Sequence, residues 1–204
     1  FAKPDPAEFS KTASRLLREA KVTFLDNSRY AGLLVNAQGA LCGIATANKA
    51  GVQAIIAKTV LDVSQASQVA EDAGAERAPW TVKTLTVSRP LVDRKTKAVT
   101  MVTLNVPMPE FTWARLNKAE QSLRETWNVV VSTNFAHSMD FQMPSALTMA
   151  QALDLENPQP EMFRVKGVAN LYVLGSSVAT SSAVSERLMQ PVRLTDVGSL
   201  LGPQ

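Results

Sequence analysis

Near the start of the chain, apolar residues recur at helical spacing. Phe9, Ala13, Leu16, Leu17 and Ala20 fall three or four apart, with most charges on the other side, and this predicts a helix over 7–20. Residues 21–26 (KVTFLD) are rich in β-branched and aromatic side chains and predict a short strand. Three further strands are expected in close order, over 30–35, 41–47 and 52–57. Turns containing Gly39 and Gly51 separate them, and these are the natural positions for positive φ, so the segment reads as a β-meander. The run 58–63 (KTVLDV) is almost continuously apolar, as in a strand covered on both faces. A short helix over 65–73 follows, stopped by Gly74. A strand leading into a helix is a βα unit and predicts a parallel sheet.

Further on the pattern changes. Residues 81–88 and 99–106 alternate and predict an antiparallel pair joined by a charged turn at 93–97, with Pro107 and Pro109 ending the second strand. Trp113, Leu116, Ala119, Leu123 and Trp127 share a helical face over 112–127. A strand is expected at 129–132 and a helix over 145–155 capped by Ser145. The last stretch returns to α/β grammar, with a short buried strand at 170–174 (NLYVL) and a helix over about 192–201 ended by Gly202 and Pro203. Three pieces result: 1–78, 79–164 and 165–204. The outer two are expected to pack into one discontinuous domain around an α+β middle.

Composition narrows the classes. The chain has 204 residues, 46% of them hydrophobic, enough for a sizeable core. A net charge of +3 is spread along the chain, and the basic stretch at 93–97 reads as a solvated turn rather than a nucleic-acid patch. Cys42 is the single cysteine, which excludes an internal disulfide and a multi-cysteine metal site. In a strand of the meander it reads as an inert thiol. No apolar run reaches a membrane-spanning length of about 18 residues. The first residue is Phe1, so the chain reads as processed, truncated or partial.

Two segments together resemble a known family. Residues 16–75 place a helix, KVTFLD and a meander before Val60-Leu-Asp62-Val-Ser64-Gln65-Ala66 and Val69-Ala-Glu-Asp-Ala-Gly74-Ala75. This is similar to the strand V-I-D-A-T-G-D and the short helix ending A-G-A in FAD-dependent oxidoreductases of the glutathione-reductase-like flavoprotein superfamily. Residues 165–202 (VKGVANLYVLGSSVATSSAVSERLMQPVRLTDVGSLLG) resemble that family's V-x-N-L-[YF]-V-A-G strand and its closing helix. The order and spacing agree too, since the family inserts a substrate domain between the two segments.

The resemblance implies an α/β fold: part of an FAD/NAD(P)-binding Rossmann-like domain with its meander, interrupted by an α+β substrate-type domain. It also implies FAD as cofactor, a small-molecule substrate, and hydride transfer to flavin. Positions matching Gly175, Ser176 and Gly198 would lie near the pyrophosphate, ribityl chain or isoalloxazine. Asp62 and Ser64 match the strand-to-helix motif, and Gln190 falls in the stretch that passes the flavin ring.

The sequence departs from the family pattern at several positions. No G-x-G-x-x-G occurs, and in the family that fingerprint precedes these segments. Gln65 stands where the motif has glycine, Ser176 where an acid or arginine is common, and Leu200 and Leu201 where small residues are usual. The cofactor-binding first half would come from a missing N-terminal segment or a partner chain. Alternatively, the chain is a cofactor-less structural or assembly subunit that keeps the fold as a scaffold.

Single residues carry two readings each. His137, the only histidine, could act as a general base oriented by Asp140, or be a satisfied loop histidine. Arg187 and Arg193 flank Gln190 and could hold a substrate carboxylate or reduced-flavin charge, or make surface ion pairs. Trp80, Trp113 and Trp127, and Met139, Met143, Met149 and Met162, read chiefly as packing.

Overall fold

The computed structural model describes residues 6–64, 67–80, 83–93, 96, 98–110, 112, 114–115, 118, 121, 133–135, 146–179 and 181–202. Helix α1 (Pro6–Glu19) forms where helix-favouring Ala, Leu, Arg and Glu dominate. Glu8 in its first turn and Arg18 in its last complement the helix dipole. Lys21, at φ 56°, turns the chain out of the helix. The strand expected at 21–26 does not form: among the described residues nothing pairs with it, and Phe24 is 67% exposed. Local β propensity cannot make a strand without a partner ladder.

The meander forms as the turn chemistry requires. Strands β1 (Arg29–Val35), β2 (Leu41–Asn48) and β3 (Gly51–Ile56) make an antiparallel sheet in that order. Asn36 accepts from the backbone N–H groups of Gln38 and Ala40 at 3.0 and 2.9 Å, and Gly39 takes φ +77°. Asn48 accepts from Ala50 N, and Gly51 takes φ +108°. Gly43 is needed for a different reason. A Cβ there would stand 2.1 Å from the Ile55 carbonyl oxygen, so only glycine lets β2 and β3 approach.

The architectural centre is a parallel pair. Strand β4 (Val60–Asp62) lies beside β8 (Leu171–Val173), more than a hundred residues away, with Val60 opposite Leu171 and Asp62 opposite Val173. Helix α2 (Gln68–Asp72) follows β4 and is shorter than the 65–73 expected; Gly74, at φ +79°, ends it. Asn170 fixes the entrance to the pair: its Nδ2 donates to the carbonyls of Leu41 (2.8 Å) and Lys58 (3.1 Å), tying meander, β4 and β8 together. The far side of β8 is covered by residues 163–165, through Val165 N to Leu171 O (2.9 Å) and Val173 N to Phe163 O (2.8 Å). The expected helix at 145–155 is absent over its described part. There the chain is extended, and Leu147 and Met149 make isolated bridges to Arg77 and Val165.

One core joins these pieces. It includes Val60, Val69, Ala70, Leu147, Phe163, Val165, Leu171, Val173, Leu188, Val197 and Leu201. The two closing helices complete it: α3 (Ser182–Leu188), which was not expected, and α4 (Pro191–Leu201), which was. Ser181 caps α3, its hydroxyl accepting from Val184 N at 3.3 Å. The core does not cover β4 on both faces, since Leu61 is 42% exposed and Val63, just beyond the strand, 65%. Among the described residues β4 has no second strand partner, so its other edge is open.

A second antiparallel sheet has the order β6-β5-β7, from β5 (Thr84–Asp93), β6 (Val99–Pro107) and β7 (Thr133–Phe135). It joins the body through Trp80, whose indole N–H donates to Met108 O at 2.7 Å, and through Met108 N to Lys83 O. Of the helix expected over 112–127, Ala114, Arg115, Lys118 and Gln121 are helical. Trp113, Trp127 and the strand expected at 129–132 lie outside the described residues. The chain is thus a mixed α/β protein, with antiparallel sheets and, among the described residues, one parallel strand pair.

Candidate functional site

The carboxyl ends of β4 and β8 meet, and in open α/β sheets such ends are where ligands bind. Four of the expected cofactor-facing residues gather there. The peptide N–H of Leu174 donates to Asp62 O at 3.0 Å, bringing Gly175 opposite the turn after β4. A Cβ built on Gly175 would meet only Ser64 O, at 3.8 Å, so glycine leaves the space between the two strand ends open. Ser176 begins a one-turn 3-10 helix, Ser176–Val178, directly after β8.

Asp62 organises this rim. The residue is 3% exposed, and both carboxylate oxygens are used. One accepts from Ser64 N (2.9 Å) and Ser64 Oγ (2.6 Å), the other from Val69 N (3.0 Å) and Ala70 N (3.2 Å). A carboxylate offers about four acceptor positions, and the protein fills all of them. Two unpaired N–H groups in the first turn of α2 are satisfied in this way. Ser64 Oγ in turn accepts from Gln68 N at 3.2 Å. Gln65 and Ala66, the most divergent part of the motif, lie outside the described residues.

Two residues not singled out from the sequence complete the arrangement. Ser67, at φ 50° and ψ 47°, takes the left-handed conformation at the start of α2, and it is fully buried. Its hydroxyl bonds to the buried hydroxyl of Ser177 at 2.7 Å. Ser177 O also accepts from Leu147 N at 2.7 Å. This pair bridges the turn after β4 to the turn after β8. The two serines stand 110 residues apart, so no local pattern could have marked them.

The remaining expected site residues are placed elsewhere. Arg187, at the end of α3, forms an exposed ion pair with Glu156. Arg193 donates to Leu155 O at 3.2 Å. Both fasten the closing helices to the loop around 155. Gln190 precedes α4, and its side chain makes no cap bond to that helix. Gly198 lies within α4 with nothing inside 4 Å of its virtual Cβ. No described contact brings these four residues to the strand ends. His137 and Asp140 lie outside the described residues, as do Met139 and Met143.

At the other end of α2, Tyr30 Oη donates to Asp72 Oδ2 at 2.7 Å, binding the helix to β1. Burial, then the hydrogen bond to Asp72, then the negative charges of Asp72 and Asp62, push the phenol well above its ordinary range. Glu71 pairs with Arg77 at 2.8 Å on the half-buried side of α2. Among the described residues no group of three His, Cys, Asp or Glu side chains could hold a metal, and no helix is long and apolar enough to cross a membrane. No protein-family model matches this sequence, and no curated protein matches it.

Proposed function

We propose that the chain is the C-terminal portion of an FAD-dependent oxidoreductase, working in hydride transfer between a small substrate and flavin. The observation that carries this reading is the parallel pairing of β4 with β8, which gathers Asp62, Ser64, Gly175 and Ser176 at one end. The fit to the cofactor rests on Gly175, where a side chain is absent and a Cβ would meet only one carbonyl oxygen at 3.8 Å. Bound flavin supplies the hydride chemistry. On this reading Gly175 allows close approach and the Ser176 hydroxyl offers a hydrogen bond, while Gly198 and Gln190, which no described contact brings to the strand ends, take no part there. Asp62 and Ser64 keep the strand ends in place from behind. The open edge of β4, with Leu61 and Val63 exposed beside it, and the unpaired apolar stretch at 22–25 support a first half supplied by a further segment or a partner chain.

A second reading, a cofactor-less structural or assembly subunit, draws on the self-satisfaction of the rim. Asp62 already occupies the first-turn donors of α2, and Ser67 and Ser177 bond to each other. A visible absorption spectrum of the native protein, with intact mass on the same sample, separates the two. Near-stoichiometric flavin together with a mass above 22.0 kDa, or with a co-purifying chain, supports the oxidoreductase. A colourless protein that takes up no added FAD overturns it in favour of the scaffold.

A further inference from the structure

We draw no further inference here: the strongest candidate, the outer face of the meander, where Val52 and Ile56 on the edge strand β3 are each 73% exposed, carries nothing because nothing in the structure shows what covers it.

Discussion

The residues at the strand ends differ in what their loss would cost, because some hold the fold and others only leave room. Asp62→Ala removes the acceptor for three backbone N–H groups and one hydroxyl in a buried setting. Stranded donors are more expensive than the net value of the bonds, so a loss of about 3 kcal/mol is expected. A urea titration would read this as a lower midpoint at unchanged slope. Gly175→Ala is the opposite case. Its φ of −175° is extended backbone open to any residue, and the new methyl meets only Ser64 O at 3.8 Å. Stability should stay within about 0.5 kcal/mol. A drop in flavin content of the purified Gly175→Ala protein at unchanged stability would mark the space as a ligand's; flavin retained in full would remove Gly175 from the site. Gly198→Ala should raise the melting temperature, since alanine is favoured over glycine within helices by about 1 kcal/mol and the space beside it is empty.

At the scale of elements, one joint holds the meander together and a second ties it to helix α2. The first is the close approach of β2 and β3 at Gly43. Gly43→Ala places a methyl against backbone rather than a movable side chain, at a residue whose φ is +156°. A penalty of at least about 3 kcal/mol is expected, read as a shifted denaturation midpoint, with the β2–β3 amides losing hydrogen-exchange protection first. Wild-type protection at those amides would contradict the register. The second joint is Tyr30 to Asp72. Since the folded state raises the Tyr30 pKa, the protonated phenol is the form the fold prefers. Its contribution is complete below the unfolded tyrosine value of about 10 and declines as pH rises above it. Denaturant midpoints measured between neutral pH and strongly alkaline pH should therefore fall more steeply for the wild type than for Tyr30→Phe. Parallel curves would show that the tie contributes nothing.

For the whole molecule, the uncovered apolar surface decides the behaviour in solution. Leu16, Leu17, Val22, Phe24, Leu25, Leu61 and Val63 are all exposed, and among the described residues β4 has an unpaired edge. Natural proteins rarely leave such edges and patches without cover. Light scattering coupled to size exclusion is expected to show self-association, or a partner carried through purification, with the purified chain. A stable, monodisperse 22.0 kDa monomer would falsify this expectation.

What the residues determine by themselves is local. Asn36 and Gly39, Asn48 and Gly51, and Gly74 mark turns and a helix stop because side-chain hydrogen bonds and positive φ act over two to four residues. The hydrophobic spacing likewise marks α1 and α4, and the apolar run at 170–174 marks β8. Whether an extended segment becomes a strand was decided by tertiary structure. Residues 22–25 have the composition of a strand but no strand partner among the described residues, whereas 146–150, expected as helix, is drawn out by bonds from Thr148 N to Glu76 O and from Ala150 N to Arg164 O. The rim of the candidate site was legible only in part. Gly175 and Ser176 stand out at the end of a strand, but the roles of Asp62, Ser67, Ser177 and Asn170 depend on groups brought together from 7 to 129 positions away. Turn chemistry is written in neighbouring residues, while strand pairing and buried polar satisfaction belong to pairs that only the folded chain assembles.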